Sequence, residues 1–209
     1  MRISMTMKGC DNMVKLIRNR PLSGESVGYD SASDDSDVII RELPFASMVN
    51  LRVNPKNSSK LKDALGFNLP TKANTTETSA EIKCLWLGPN EWLIISDQME
   101  ASDLCQNISH SLEGLHYSAK EVSDNYASIS ITGQKTLDVL SKLTPLDVHE
   151  SSFGTGTCAQ TVLAKSNVIL ERLDANTFTL IVRRSFASYV WKRLIDAGVE
   201  FKTGVLGAA

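Results

Sequence analysis

The chain has 209 residues, 42% hydrophobic and 22% charged, with a formal net charge of −2 at pH 7. Those values fit one globular domain, or two small units sharing a core. They exclude a global field that would gather nucleic acid or an anionic membrane surface, and no apolar run approaches the roughly 18 residues that span a bilayer.

The first residues are basic, with Arg2, Lys8, Lys15, Arg18 and Arg20, but no apolar stretch and cleavage site of a secretory leader follow. From Ser23 to Asp37 the chain is rich in Ser, Gly and Asp and nearly empty of large apolar groups. Such a segment buries too little surface to offset its ordering entropy. Residues 1–37 therefore read as an arm, mobile alone or ordered against a partner.

Ordered structure is expected from Val38. Met48–Val53 alternates Val49, Leu51 and Val53 with Asn50 and Arg52, as a strand does. After Pro55, Asn57 or Ser58 is placed to cap a short helix carrying Leu61, Ala64 and Leu65, and Gly66 to end it. Pro70 to Glu81 reads as a polar loop. Two Trp-bearing apolar runs then flank Gly88-Pro89-Asn90, the chemistry of a hairpin from Cys84 to Ile95. A helix from Glu100 to Leu112 follows, with Leu104, Ile108 and Leu112 on one face and Gly114 beyond it.

The second half repeats the order. Tyr126–Thr132 is an alternating strand, Gly133 breaks it, and Leu137, Leu140 and Leu143 mark a helix before Pro145. Strands are expected near Ala159–Ala164, Val168–Leu173 and Phe178–Val182. Ser185 is placed to cap a helix through Ala197, and Val199–Phe201 to add an edge strand. The reading is an α+β chain of two related βαββαβ-like units, residues 38–118 and 119–209, behind the N-terminal arm.

Signs of chemistry are sparse. Cys10, Cys84, Cys105 and Cys158 are widely separated and form no C-x-x-C pair, which predicts free thiols in a reducing cytoplasm. His110, His116 and His149 lack the spacing of a zinc site. Gly154-Thr-Gly156 is too short for a dinucleotide fingerprint and reads as a turn into the next strand. Glu121, Asp124 and Asp147 sit at element ends and are the carboxylates to watch. Arg183-Arg184 precedes the last helix, where cations oppose the dipole, so solvation or a partner's carboxylate is expected there. No catalytic, cofactor-binding or metal-ligating residue is assigned.

Two stretches carry a resemblance. Trp86-Leu-Gly-Pro-Asn-Glu-Trp-Leu93 is similar to the W-L-G-P-[DN]-E-W-L hairpin of the sarcosine oxidase gamma subunit family. The second runs from Ser123-Asp124 through Ala127–Gly133 to Pro145-Leu-Asp-Val-His149, and on to Phe153, Gly156, Ala159-Gln-Thr161, Arg184-Ser-Phe-Ala187, Trp191 and Leu194. Arg41-Glu-Leu43, Leu51-Arg52 and Arg20-Pro-Leu22 also resemble the family's early elements.

The resemblance implies a subunit of a bacterial heterotetrameric oxidase with alpha, beta and delta partners. It oxidises sarcosine to glycine, yielding hydrogen peroxide and formaldehyde or 5,10-methylene-tetrahydrofolate. FAD and FMN are implied for the beta chain, NAD and tetrahydrofolate for alpha, and zinc for delta. For this chain it implies no cofactor, a role in assembly and stabilisation, and a fold similar to the aminomethyltransferase (T-protein). Two alternatives stay open: a free-standing folate-dependent aminomethyltransferase, or a gamma-like subunit of a related N-methyl amino acid dehydrogenase. T-proteins carry Asp-Val-Ser-His before a strand; here the comparable stretch is Glu121-Val-Ser-Asp124, so the catalytic role of that Asp is not carried over.

Overall fold

A computed structural model describes residues 19–23, 25 and 36–206. In chain order they form β1 (Val38–Glu42), β2 (Ser47–Val53), a 3₁₀ turn (Pro55–Leu61) running into α1 (Lys62–Leu65), β3 (Thr76–Thr78), β4 (Lys83–Gly88), β5 (Glu91–Ser96), α2 (Ala101–Ser111) and β6 (Tyr117–Glu121). Then come β7 (Tyr126–Thr132), α3 (Thr136–Ser141), β8 (Thr157–Leu163), β9 (Ser166–Arg172), β10 (Thr177–Arg183), α4 (Ala187–Gly198) and β11 (Thr203–Leu206). No helix among them is long and apolar enough to cross a membrane.

One sheet runs β3-β4-β5-β2-β6, the other β11-β1-β7-β10-β9-β8. Without β1 the two orders are the same: a first strand, a helix, a three-strand meander, a helix and a returning strand. This is the α+β repeat expected from element order. The boundary between the units differs from the sequence reading in two places. β1, placed with residues 38–118, pairs antiparallel with β7 and parallel with β11 in the second sheet. β6, which straddles residue 118, pairs with β2 in the first. The reason is positional: beside β7, β1 takes the place that β6 holds beside β2, and β11 moves out to the edge. Gly133 permits this, because a Cβ there would lie 2.2 Å from the Asp37 carbonyl oxygen, and its φ of +127° suits glycine alone.

Besides the Pro70–Glu81 loop, which contains β3, three local readings change. Ser185 does not cap α4; a 3₁₀ turn over Arg184–Phe186 forms the approach, and Phe186 holds the cap position without a side-chain bond. The last strand is Thr203–Leu206 rather than Val199–Phe201. The chain first turns, with the Phe201 N–H on the Gly198 carbonyl at 2.9 Å, before it can run beside β1. The 3₁₀ turn at Pro55 is capped by Asn54, whose side chain accepts from the Lys56 N–H at 3.1 Å, one turn earlier than Asn57.

Period-two alternation gives each sheet two buried faces. Val49, Leu51, Cys84, Trp92 and Ile94 pack under α1 and α2, whose own contribution includes Leu65, Leu104 and Ile108. Ile129, Ile131, Leu170, Phe178 and Leu180 pack under α3 and α4, with Leu140, Val190 and Trp191. The opposite faces meet through Met48, Leu85, Leu93, Cys158, Ile169 and Ile181. The result is four layers: helices, sheet, sheet, helices. Among the described residues, six buried apolar ones fill the middle layer, against 13 and 23 beneath the helices, so the helical sides carry most of the burial.

Residues 19–25 belong to the arm of the sequence reading, and those described dock on this chain itself. Leu22 is fully buried in the core under α3 and α4, and its N–H donates to the Glu42 Oε1 at 3.1 Å. Glu25 accepts from the Ser188 hydroxyl at 2.7 Å and pairs with Lys192 at 3.0 Å, both on α4. The Arg184 guanidinium donates to the Asn19 carbonyl. Ser36 and Asp37 lead into β1, and the other arm residues lie outside those described.

Two predictions follow from these contacts. Gly133→Ala should cost about 3 kcal/mol or more in urea unfolding, because β1 must withdraw. Gly114→Ala, also at positive φ but facing open space, should cost only about 1–2 kcal/mol. The second concerns pH. Burial raises the Glu42 carboxyl above its ordinary 4.5, against the Leu22 N–H, Arg20 and Arg184, which pull it down. A raised folded pKa means the folded state holds the proton more tightly. That contribution is present in full below about pH 4.5 and is lost as pH climbs through the folded pKa. Glu42→Gln, which keeps an acceptor for Leu22, should therefore gain on the native chain as pH rises above that point. A stability difference that is flat with pH would overturn the assignment.

Candidate functional site

The middle layer changes character from one end to the other. Along β2 its inward residues are Met48, Asn50 and Arg52, along β5 Ile95, Leu93 and Glu91, and along β4 Lys83, Leu85 and Leu87. On the second sheet they are Thr179, Ile181 and Arg183 of β10, Glu171, Ile169 and Asn167 of β9, and Cys158, Gln160 and Val162 of β8. β4, β5, β9 and β10 keep an apolar residue in the middle of this set, Leu85, Leu93, Ile169 and Ile181, and a polar one toward an end. Apolar groups close the centre, and the ends open into cavities.

The larger is a cleft of about 660 Å³ between β2, β6 and the β4–β5 turn on one side and β8, β9 and β10 on the other. Its floor is apolar, with Leu87, Ile169 and Ile181, and its rim is polar. The Arg52 guanidinium pairs with Glu91 at 2.6 Å, and the Asn50 amide donates to the other Glu91 oxygen at 2.9 Å. Across the cleft, Arg183 lies over the Tyr126 ring at 4.7 Å. Lys120 of β6 lines the same space.

The second cavity, about 390 Å³, sits at the other end, where Leu43–Ala46 and Ser79–Lys83 meet β9 and β10. Its fixed feature is Glu171, buried, with the Lys83 ammonium 3.0 Å away. Burial raises the Glu171 carboxyl and Lys83 opposes the rise. An ion pair so placed holds the sheets in register; removing either partner would strand the other charge.

Neither cavity is lined, among the described residues, by a histidine or a cysteine. Among the described residues, no group of three or more His, Cys, Asp or Glu is placed to hold a metal ion. Cys84, Cys105 and Cys158 are free thiols. Burial pushes Cys84 well up and Cys158 to about 12, which makes poor nucleophiles of both. Cys10 lies outside the described residues.

The carboxylates to watch are spread out. Glu121 ends β6 and accepts from the Ser123 hydroxyl at 3.2 Å, while Ser123 also accepts from the Met48 N–H at 3.0 Å. Asp124 lies in the following 3₁₀ turn, in a shallow depression with Arg20, Arg183 and Arg184. Asp147 belongs to the α3–β8 connection, where the Ser152 hydroxyl and then the His149 N–H hold its carboxyl below the usual range. Gly154-Thr-Gly156 is a turn into β8, with Gly156 at φ +76°. Trp92 is fully buried, its indole N–H donating to the Pro70 carbonyl at 2.8 Å, and Trp86 packs half-buried against the same core.

The sequence reading misses Arg172. Buried, it donates to the carbonyls of Val148, Phe153, Asp174 and Ala175 and lies 5.2 Å from the Phe178 ring. It ties the long α3–β8 connection to the β9–β10 turn. It also misses Lys83–Glu171 and the polar rim. The available signal was the second parity of the strands, where Arg52, Glu91, Asn167, Glu171 and Arg183 recur in step with inward residues.

Comparison with known proteins places this geometry. Residues 52–200 match the family model described as "Sarcosine oxidase, gamma subunit family". The sarcosine oxidase subunit gamma of Arthrobacter sp is 30% identical over 188 residues, which cover 88% of this chain and 92% of that one. A chain of the heterotetrameric sarcosine oxidase from Corynebacterium sp. U-96, solved in complex with pyrrole 2-carboxylate, superposes with a TM-score of 0.81 at 26% identity. That match covers 88% of this chain and 96% of the other. The aminomethyltransferase T of the glycine cleavage system from Bartonella henselae shares the fold, with a TM-score of 0.64 at 10% identity over 82% of this chain and 48% of that one. An aminomethyltransferase of Saccharopolyspora erythraea is 28% identical over 117 residues, which cover 54% of this chain and 31% of that protein. With the family model matched over most of its length, this chain belongs to the sarcosine oxidase gamma subunit family.

Proposed function

We propose that this chain is the gamma subunit of a heterotetrameric sarcosine oxidase, acting in assembly and stabilisation of alpha, beta and delta partners in the cytoplasm. The observation that carries the reading is coverage: the likeness to a chain of the Corynebacterium oxidase spans 96% of that chain, not an isolated module. The complex would oxidise sarcosine to glycine, with hydrogen peroxide and formaldehyde or 5,10-methylene-tetrahydrofolate as the other products. FAD, FMN, NAD, tetrahydrofolate and zinc would sit on the partner chains. This chain would be noncatalytic. Supporting that, its cleft offers cations, amides and an apolar floor rather than a reacting pair.

The fold shared with aminomethyltransferase T favours a second reading, a folate-dependent transferase. Against it, the chain spans only about a third of the matched Saccharopolyspora enzyme, and Glu121 is engaged by the Ser123 hydroxyl beside it. A related N-methyl amino acid dehydrogenase differs from the first reading only in the substrate of the assembly.

Co-expression of the tagged chain with alpha, beta and delta genes separates these. The expected outcome is a yellow complex of all four chains that releases peroxide when given sarcosine. A tagged chain recovered alone that binds tetrahydrofolate, and loses binding in Glu121→Gln or Asp124→Asn, would replace the subunit reading with the transferase. A four-chain complex inert to sarcosine but active on another N-methyl amino acid would move the assembly to the dehydrogenase.

A further inference from the structure

Three features converge at the polar end of the inter-sheet cleft. The first is charge. Arg52, Lys120 and Arg183 line it against a single carboxylate, Glu91, on a chain whose net charge is −2. Glu91 is already held by Arg52 and Asn50. Among the described residues, Lys120 and Arg183, on opposite walls, meet no carboxylate at ion-pair distance.

The second is a gap in backbone pairing. β8 is the edge strand of its sheet. Its Cys158 N–H turns outward to the Asn74 carbonyl at 3.0 Å, and just past its end the Ala164 N–H reaches Leu143 at 2.7 Å. Alternation turns the backbone of Gln160 and Val162 the same way, and among the described residues no acceptor meets those two N–H groups. The open stretch is thus bounded at both ends, and Gln160, Thr161 and Val162 line the cleft.

The third is apolar exposure. Val162 is 39% exposed beside that edge, above a floor of Leu87, Ile169 and Ile181. A small anion would use the cations but has no need of a strand edge. A polypeptide in extended conformation uses all three: backbone pairing gives affinity, and alternate side chains reach the pockets.

We propose that this cleft seats an extended, carboxylate-bearing segment of a partner chain, paired to the open edge of β8 and held by Lys120 and Arg183. This rests on the subunit reading above. Acidic side chains of the segment meet the two cations, and apolar ones between them cover the floor. Buried charge pairs of this kind weigh mainly on dissociation.

The test uses the co-expressed complex. Lys120→Glu with Arg183→Glu reverses the two charges. Val162→Pro removes one outward N–H, a change an edge strand tolerates but a pairing strand does not. Lys56→Glu with Lys60→Glu, exposed in the 3₁₀ turn on the helical side, is the control. Circular dichroism and melting temperature establish that each variant folds. The expected result is that partner recovery on the tag falls roughly tenfold or more for the charge-reversed and proline variants and is unchanged for the control. Recovery at the native level from both cleft variants would overturn the proposal while leaving the subunit reading intact. Assembly kept in the variants but with loss of a small acid, detected by mass spectrometry of the denatured native complex, would overturn it in favour of that ligand. Failure of the native chain to recover any partner would overturn the subunit reading and this proposal together.

Discussion

Both sheets are buried on both faces, and every other feature of the molecule answers to that constraint. A strand has two sides, so each of these sequences must satisfy two environments at once. β9 shows how: Val168 and Leu170 go to the helices, while Ile169 goes to the other sheet and Glu171 meets Lys83 between the sheets. A slip of one residue would exchange these sets and put a carboxylate under α4, so register is fixed by burial on each side. The Lys83–Glu171 pair adds a polar check, since a buried carboxylate is tolerable only where its cation lies.

The second sheet also depends on chain far from it in sequence. β1 reaches β7 across the whole first sheet, over Gly133, and Leu22 plugs the core that β1 helps to roof. Glu42 couples the two, since its carboxylate accepts from Leu22 while its strand pairs with β7. The two sheets are therefore interlocked through sequence as well as stacked. Contacts of such long separation must pay loop-closure entropy before they are rewarded.

This explains what the sequence disclosed and what it withheld. β2 and β7, with their alternation, and β5 and β10, with their apolar runs, were legible, as was the Gly-Pro-Asn turn, because their signal is local. β3 was not, because Thr76–Thr78 carries no apolar residue and is a strand only by virtue of backbone bonds to β4 and to the turn before β8. The C-terminal strand was placed too early because Val199–Phe201 is the more apolar stretch, yet Val199 is 78% exposed and the chain needs those residues to turn. The Ser185 cap failed because Ser185 lies inside a 3₁₀ turn over Arg184–Phe186 and the helix starts only at Ala187. The site was hidden for a tertiary reason. Arg52, Lys120 and Arg183 come from three strands and read singly as solvated charges; only the stacking of two sheets brings them around one cleft.

Where two sheets pack, apolar inward residues are the default, since a charged group there forfeits hydration without a guaranteed partner. This chain follows that default at the centre of the layer and abandons it at both ends: one holds the Lys83–Glu171 pair, and at the other β2, β5, β6 and β10 each place a charge. A free-standing enzyme would resolve such an end into a reacting pair, with a base close to a nucleophile and a third group orienting it. Here the charges are braced by an amide, Asn50, and an aromatic ring, Tyr126, which fix their direction. Charges held in fixed directions around an apolar floor suit recognition. An open strand edge at the same place supplies what recognition of a polypeptide requires, and on the proposal made above the polar end of the middle layer is half of an interface.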